Sequence, residues 1–492
     1  MAQHPSNSQN VIKGISSQAL VTIVLGLVEI LSFSIMSRLL TQEDFGYYAV
    51  ITAITTVFAS FSDMGIGSAI VQQKELTKRY VDNAFTISLL FGFSLSLLLL
   101  VCSGPLSLML ADASMRIPLM LMSGTLLLHC LTSVNNSLMH RKLQFLRMGG
   151  INLFSLIITT CVAVWLAYKG FGYYAIITKA VLGSIITYLL SFYFCKTHFS
   201  FALDKATFRR IFAFSGWLMA SSIFRNLAHQ IDRLLMPRLL SVSALGAYNR
   251  PKDFVEQIST KLNGIFDTAL FPVLSGIQDN LSKLKSAFCR SMFLMNAFAL
   301  LLTSAFVFNS GIIIRIFFGE QWMELKDVMM TISCSLLFNI DGRLADCYLR
   351  SLAMTKQQFF FRIFEFVLKI IGILMAFKWG LVGVALSIVI TNSITKIIKI
   401  LYVGNKIGVG LKSTFEIIFS SWRYGLVLIP VCSIAMAHLP KTWGGDIALS
   451  CLFLVVTVII FLGFPSLIGK TYHDDVYVKI TSFVDSKTKK YR

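Results

Sequence analysis

Charged and polar side chains recur at helical spacing inside long apolar segments of this sequence. Arg225, His229 and Asp232 stand at i, i+4 and i+7, with Arg233 next to them. In a helix this spacing places them on one face. A charged side chain at the centre of a bilayer costs about 2.5–3.5 kcal/mol on insertion scales, so it generally faces a partner or a hydrated cavity. The pattern therefore predicts a polar, hydrated helix face.

Four more segments carry polar residues at the same spacing. They contain Asp253, Glu256, Thr260 and Asp267; Asn339, Arg343, Asp346 and Arg350; Arg362, Glu365 and Lys369; and Gln18, Thr22, Glu29 and Ser32. Guanidinium groups bind phosphate oxygens bidentately, and ammonium groups add point charges. We predict that five basic residues bind an anion of the phosphate type: Arg225, Arg233, Arg343, Lys261 and Lys369.

An alternative interpretation is that some of these charges pair within their own helix. Glu365 and Lys369 stand at i, i+4, and Arg343 and Asp346 at i, i+3, which are salt-bridge spacings. For Glu365 and Lys369 we favour this structural role, and for the arginines near residue 225 we favour binding. A coupled proton or ion would need a titratable group on the pathway. The candidates for that group are Glu29, His229 and Asp232.

The segments that carry these residues belong to a membrane protein. The chain has 492 residues, of which 55% are hydrophobic and 14% charged, whereas about a quarter of an ordinary soluble domain is charged. A helix needs about 20 apolar residues to cross the bilayer, and the apolar runs predict fourteen spans and an all-α polytopic fold. The polar first twelve residues and the full-length run after them predict a retained first span.

Several other functions find no support in the sequence. The nine cysteines lie in or beside apolar runs without a Cys-x-x-Cys motif, which argues against a metal or redox cofactor. No His-Glu-x-x-His, Ser-His-Asp order or glycine-rich nucleotide loop occurs, and no polar stretch is long enough for an ATPase domain. We therefore expect no enzyme and no cofactor. A proton or sodium gradient remains one source of energy, and the supply of substrate another.

The positive charge predicts the orientation of the chain. Of the 44 Lys and Arg residues, 27 fall on the predicted side of the termini, 10 on the opposite side and 7 within spans. This bias predicts that both termini are cytoplasmic. The net charge of +20 therefore requires no nucleic acid partner. The basic tail, residues 470–492, also suits anionic membrane lipids, although orientation alone explains it.

An internal repeat predicts how the spans are grouped. The first repeated motif is Arg38-Leu-Leu-Thr41 with Phe45-Gly-Tyr-Tyr48, which recurs 200 positions later as Arg238-Leu-Leu-Ser241 with Leu245-Gly-Ala-Tyr248. The second relates Gly170–Ala175 to Gly380–Ala385. Both repeated motifs fall at matching places in a six-span unit. We predict an N-terminal lobe (1–210), a C-terminal lobe (211–412), an added hairpin (413–469) and the tail (470–492). Parallel repeats of this kind are one of the standard plans of transporters.

Short motifs in the first two thirds of the chain resemble those of Wzx-type polysaccharide exporters, closest to the colanic-acid exporter branch. The matching segments are Ser37–Ala49, Phe61–Gly67, Ile70–Lys74, Asp232–Leu235, Ala244–Asn249, Phe271–Ser275 with Gln278-Asp279, and Phe318–Trp322. The resemblance implies the multidrug/oligosaccharidyl-lipid/polysaccharide (MOP) superfamily, with two six-helix lobes in a V as in MATE transporters.

The resemblance also implies a function in the bacterial inner membrane. That function is the flipping of undecaprenyl-diphosphate-linked oligosaccharide from the cytoplasmic to the periplasmic leaflet by alternating access. A polysaccharide polymerase and chain-length proteins are the implied partners. One rival is a MATE-like drug or organic-cation antiporter, which would need carboxylates in its cavity. The other is a membrane-embedded polymerase or ligase, but the longest predicted outer loops, 237–251 and 310–327, are short for one.

Overall fold

The computed structural model describes most of the chain and is almost entirely helical. The described residues are 8–62, 67, 70, 76–109, 112–142, 144–195, 199–202, 204–352, 354–423, 425–440 and 442–463. Within them no strand is present. The basic tail, 470–492, and residues 63–66 of the motif that starts at Phe61 lie outside this description.

Seventeen α-helices are present in the described residues. They are α1 (Ser8–Leu39), α2 (Gln42–Ser62), α3 (Lys78–Met109), α4 (Arg116–Arg141), α5 (Phe145–Tyr168), α6 (Tyr173–Cys195), α7 (Lys205–Leu239), α8 (Val242–Gly276), α9 (Leu281–Phe308), α10 (Ser310–Phe317), α11 (Lys326–Ser333), α12 (Ser335–Ser351), α13 (Thr355–Ala376), α14 (Gly380–Lys406), α15 (Leu411–Ser421), α16 (Gly425–His438) and α17 (Trp443–Gly463).

The repeated motif supplies the caps of α2 and α8. Asp44 Oδ2 accepts hydrogen bonds from the amide and the hydroxyl of Thr41, at 3.0 and 2.7 Å, and Thr41 Oγ1 accepts the Asp44 amide at 3.2 Å. In the second copy, Ser241 Oγ accepts the Ala244 amide at 3.0 Å. A hydroxyl at this position satisfies an amide that has no partner within the helix. The Thr41 and Ser241 positions of the repeat are therefore helix caps.

The helices confirm a multi-pass membrane protein. Among the described residues, eight helical segments are long and apolar enough to cross a bilayer, or nine if the bent pair Leu411–Ser420 and Gly425–His438 forms one span. Three of the helices with charged faces, α7, α8 and α12, are not among these segments, whereas α1 and α13 are. The expected total of fourteen spans stays a prediction.

One compact unit comprises Met1–Arg250, Phe317–Gly319 and Thr355–Val384. Within it α3 packs on α4, α4 and α5 pack on α6, α1 packs on α5, and α7 packs on both α2 and α13. One part of its core is formed by buried apolar side chains of α3, α4, α5 and α6, among them Ala84, Ile87, Val134, Leu138 and Ile151.

The second compact unit comprises Pro251–Ile316, Glu320–Met354 and Ala385–Arg492. Helix α9 is its centre and packs against α11, α12, α15, α16 and α17. A buried cluster of Leu300, Phe308, Leu428, Cys432, Leu449 and Phe453 joins α9 to α16 and α17. At the end of α10, Arg315 Nε donates to Asp446 Oδ2 of α17 at 2.9 Å, and Arg315 Nη1 donates to Glu320 at 2.7 Å. The helices of the predicted hairpin are thus attached to α9 and α10.

The helices run further than the hydropathy pattern predicts. The segment 237–251, predicted as an outer loop, is helical except around residues 240–241, because α7 continues to Leu239 and α8 begins at Val242. Five residues assigned to loops in the charge count lie in helices. Arg250, Lys252, Arg315 and Lys399 are buried, and Lys396 is half-buried. The assignment of these five to loops was wrong. The helices continue through these charged residues because each residue has a hydrogen-bond or ion-pair partner in the structure.

Candidate functional site

Arg225, His229, Asp232 and Arg233 form a charged stripe along α7. One part of this stripe is exposed and the other is buried. Arg225 and His229 are exposed, and Arg225 Nη2 lies 3.4 Å from Ser222 Oγ. Asp232 and Arg233, two turns further on, are buried at 3% and 9% exposure. Of this stripe, Arg225 and His229 are therefore the side chains that a ligand could reach without rearrangement.

The buried part of the stripe is tied to α8. The hydroxyl of Tyr248 donates to Asp232 Oδ2 at 3.0 Å, and the Arg233 amide donates to Asp232 Oδ1 at 3.0 Å. Tyr248 is itself buried, at 1% exposure. The Asp232 carboxylate thus holds the start of α8 against the end of α7. A role of Asp232 in coupling stays a prediction.

Helix α13 brings the predicted Glu365–Lys369 pair to α7. Glu365 lies between two cations, with Arg362 Nη1 at 3.1 Å and Lys369 Nζ at 3.2 Å. Lys369 also donates to the backbone oxygen of Ala228 on α7, at 2.9 Å. The ion pair at i, i+4 predicted from the sequence is therefore present. Its lysine also reaches a second helix, next to the exposed His229.

The remaining predicted anion ligands lie in the second compact unit. Lys261 on α8 and Arg343 on α12 are both half-buried. The predicted set therefore divides between units, with Arg225, Arg233 and Lys369 in the first. In the second unit, Lys399 of α14 donates to Asp346 at 2.9 Å, and Lys396 bonds to Asn339. Sequence spacing did not reveal these lysines because their partners lie about 55 residues earlier in the chain.

A buried arginine that the sequence placed in a loop joins α8 to α1. Arg250 is 8% exposed and donates to Ser37 Oγ at 2.7 and 3.1 Å and to the backbone oxygen of Phe33 at 2.9 Å. Its guanidinium lies 3.5 Å from the ring centre of Phe33 and 3.8 Å from that of Phe45. Arginine is stable here because hydrogen bonds and two aromatic faces replace its hydration.

A second polar cluster in the same unit surrounds the predicted Glu29. Ser32, one turn after Glu29 on α1, accepts hydrogen bonds from Lys179 of α6 and, at 3.1 Å, from Thr160 of α5. Glu29 stands one turn before Ser32 on the same helix, which puts it beside this cluster. Glu29 itself is half-buried. The sequence signal for Lys179 was its position within a span, which by itself named no partner.

The two copies of the repeat meet at their glycines. A Cβ placed on Gly46 would overlap the backbone oxygen of Val242, and one placed on Gly246 would overlap that of Gln42. Gln42 and Val242 are equivalent positions of the two copies, each four residues before the glycine of its own copy. Each glycine thus contacts the residue of the other copy that its counterpart follows. This reciprocity is what a two-fold relation between repeat copies produces. Only glycine permits so close an approach of the two helices.

No grouping of the described residues suggests a metal centre. Among them, no three His, Cys, Asp or Glu side chains come together as a metal site would require.

Comparison with known proteins identifies the family. Residues 35–327 match the family described as "Polysaccharide biosynthesis protein". The chain belongs to this family. A relative from Escherichia coli K12, the lipopolysaccharide biosynthesis protein WzxC, is 23% identical over 400 residues, which is 80% of each chain. A putative O-antigen transporter of Shigella flexneri is 23% identical and covers 73% of this chain and 90% of its own.

Solved structures of transporters share the fold. The lipid II flippase MurJ in an inward closed conformation matches with a TM-score of 0.69 at 15% identity, over 90% of this chain and 98% of its own. An inward-facing multidrug resistance MATE transporter of the MOP superfamily matches with a TM-score of 0.66 at 14% identity, over 80% and 99%. At these identities the likeness shows the fold. The predicted family and the MOP transporter fold are confirmed.

Proposed function

We propose that this protein flips lipid-linked polysaccharide repeat units across the bacterial inner membrane, from the cytoplasmic to the outer leaflet. The observation that carries the proposal is the coincidence of a polysaccharide biosynthesis family with a transporter fold that matches a lipid flippase over 90% of the chain. A carrier of this kind makes and breaks no covalent bond. It needs a polar site for the head group and a path for the lipid tail at its side.

The proposed substrate is a glycan linked to undecaprenyl diphosphate. Its diphosphate carries negative charge, and a guanidinium fork matches the geometry of phosphate oxygens. Of the predicted ligands, Arg225 is exposed, and Arg343 and Lys261 are half-buried. Arg233 and Lys369 are buried, and Lys369 contacts Glu365 and Ala228. We therefore assign contact with the diphosphate in the first unit to Arg225, and the support of α7 to Lys369. Arg343 and Lys261 of the second unit stay predicted anion ligands.

The proposed mechanism is alternating access with the termini in the cytoplasm. The substrate head enters from the cytoplasmic side, the diphosphate binds the cationic groups, and a change of conformation exposes it to the other side. Because a diphosphate bound too tightly would not leave, the cationic groups must bind it more weakly in the conformation that releases it.

A depletion experiment tests the function. Removal of the protein from its host should trap lipid-linked repeat units on the cytoplasmic leaflet, measured as protection of the glycan from a periplasmic glycan-cleaving or labelling reagent. If the units still reach the periplasmic face at the normal rate in a strain that lacks other flippases, the proposal is wrong.

The MATE fold match supports a second candidate, export of organic cations. This function would need carboxylates accessible to the substrate. A cation-efflux assay with a fluorescent organic cation distinguishes the two: efflux that depends on this protein, with normal polysaccharide export in its absence, would favour the antiporter.

A further inference from the structure

Helix α12 carries a buried carboxylate on each of two faces, and only one of the two is paired with a lysine. On one face Asn339 and Asp346 bond to Lys396 and Lys399 of α14, and Gly342 between them lies against the Lys396 side chain. The other face holds Asp341, which is 2% exposed and whose Oδ1 atom has no hydrogen-bond partner among the described residues. One carboxylate of the helix is thus neutralised by a lysine, while the other is buried with no such neighbour.

The face that carries Asp341 points towards α9. Asp341 and Tyr348 stand at i and i+7, on one side of α12. Tyr348 lies against α9: its hydroxyl is 3.3 Å from Ser291 Oγ, and its ring packs edge-on against Phe288 at 5.2 Å. Helix α11, which precedes α12, also packs on α9. Leu337, one turn before Asp341, packs instead against the cluster that contains Leu300 of α9. Because α12 meets earlier α9 residues at Tyr348 and later ones at Leu337, the two helices run antiparallel.

This register places Asn296 of α9 at about the level of Asp341. The path from Ser291 to Asn296 is about 7.5 Å along α9, and the path from Tyr348 back to Asp341 is about 10.5 Å along α12, at ~1.5 Å per residue. The two side chains therefore lie at nearly the same level. Asn296 is fully buried at 0% exposure, and its Nδ2 donates to the Met292 oxygen at 3.1 Å. Its Oδ1 has no partner among the described residues.

Asp341 Oδ1 and Asn296 Oδ1 are both buried oxygen acceptors without a hydrogen donor among the described residues. An ionised carboxylate without a partner costs several kcal/mol in the interior. A protonated carboxyl, in contrast, carries one O–H donor, which Asn296 Oδ1 can accept. We propose that Asp341 is a proton-binding site of this protein, with Asn296 as the acceptor that stabilises the protonated carboxyl.

Other charged groups around Asp341 do not neutralise it. On α14, Lys396 and Lys399 are bonded to the adjacent face of α12. On α9, the cations Lys283, Lys285 and Arg290 precede Asn296 by six residues or more. Lys326 and Asp327 of α11 stand about 14 residues from Asp341, or ~21 Å along the helices. Arg343 on α12 itself projects about 200° away around the helix.

The site would couple proton movement to the proposed flipping, and this step rests on the proposed function. The Asp341 carboxylate takes one proton from water at one side of the membrane and returns it to water at the other. After release, the bare carboxylate cannot stay buried beside Asn296. Deprotonation therefore favours a conformation in which α9 and α12 admit water to Asp341.

Carbodiimide labelling tests proton binding without any transport assay. Dicyclohexylcarbodiimide adds to protonated carboxyl groups in apolar surroundings. In purified protein, mass spectrometry should locate an adduct on Asp341 that decreases as the pH rises, does not respond to exchange of potassium for sodium, and is absent from Asp341→Asn. Lysine-paired Asp346 in the same chain serves as an internal control and should remain unlabelled.

A second variant tests the partner. Asn296→Ala removes the acceptor of the protonated carboxyl, so the midpoint of labelling should fall by about one pH unit, which corresponds to the loss of one hydrogen bond. Absence of an adduct at Asp341 at every pH, or protection by sodium at constant pH, would overturn the proposal.

The coupling has its own test. Asp341→Asn should reach normal membrane abundance, because the amide imitates the neutral acid, and should export at most a tenth of the wild-type amount of polysaccharide. Normal export by this variant would overturn the coupling and leave the flippase function intact. Failure of the flippase function itself would appear in the depletion experiment and would not alter the labelling.

Discussion

At the scale of single residues, exposure separates cations that can bind a substrate from cations that hold helices together. Arg225 and Arg250 illustrate the two cases. Arg225 is exposed on α7, whereas Arg250 is buried against two phenylalanine rings and two oxygen atoms of α1. We therefore expect replacement of Arg225 to affect export and replacement of Arg250 to affect stability.

Replacing Arg225 should reduce export without reducing the amount of protein. Arg225→Ala removes a charged hydrogen-bond donor worth about 1.5–3 kcal/mol to a phosphate, so export should fall about tenfold or more. Membrane abundance and export are measured together by immunoblotting and by quantifying surface polysaccharide. Arg238→Ala, which removes an exposed arginine near the C-terminal end of α7, is the control. An equal loss of abundance for Arg225→Ala would instead support a structural role.

Replacing Arg250 should destabilise the protein. Arg250→Lys keeps the charge but cannot make the forked contact to Ser37 and Phe33 or stack as a plane on the rings. We expect a loss of about 2 kcal/mol in stability, measured as a lower thermal unfolding midpoint of the purified protein. Arg238→Lys changes an exposed arginine and should leave the midpoint unchanged. If both variants unfold at the wild-type temperature, the buried contacts of Arg250 contribute little.

At the scale of elements, the repeat determines where two helices cross. The starts of α2 and α8 are capped by equivalent hydroxyls, Thr41 and Ser241, and approach each other at equivalent glycines, Gly46 and Gly246. The contact lies on the side of the membrane that the charge bias predicts to be external. A repeat found in the sequence thus corresponds to a physical contact between its copies.

Because Gly46 and Gly246 each contact a backbone oxygen of the other copy, we expect their replacement to cost similar free energies of unfolding. Gly46→Ala and Gly246→Ala each force a methyl group onto a backbone oxygen, which should cost about 1–3 kcal/mol. The thermal midpoints of the two variants should fall by similar amounts. Gly124→Ala on α4 meets no atom within 4 Å and should leave the midpoint unchanged or raise it. A large effect at only one of the two glycines would contradict the reciprocal contact.

At the scale of the whole molecule, the two compact units interrupt the order of the sequence. Helices α7 and α13 belong with α1–α6 in one unit, whereas the greater part of α8 belongs with α9–α12 in the other. The lobe boundaries at 210 and 412 stay a prediction. The final two helices belong to the second unit, where an apolar cluster and the Arg315–Asp446 ion pair hold them.

Breaking this ion pair should loosen the attachment of α17. Asp446→Ala leaves Arg315 buried with one of its carboxylate partners missing, and the expected cost is about 3 kcal/mol. The variant should show a lower thermal midpoint and faster proteolysis near residue 446. Asp327→Ala removes an exposed carboxylate of α11 and serves as the control. Wild-type stability of Asp446→Ala would mean that the apolar cluster alone holds the last helices.

The sequence by itself determined the membrane class, the helical repeat and the family. These depend on hydropathy, on residue order and on local spacing, so the Glu365–Lys369 pair and the motifs around Phe45 and Leu245 could be recognised without coordinates. Spacing along one helix also identified Arg225 and His229 as neighbours on a face, because a helix has a fixed period.

Only the tertiary structure decided which charges have partners on other helices. Asp341 and Asp346 are both aspartates of α12, yet Lys399 neutralises Asp346, while Asp341 Oδ1 has no hydrogen-bond partner among the described residues. Arg250 looked like a loop residue until α1 supplied Phe33 and Ser37. Such contacts join residues 50 to more than 200 positions apart. They depend on how helices pack, which no local pattern of residues encodes.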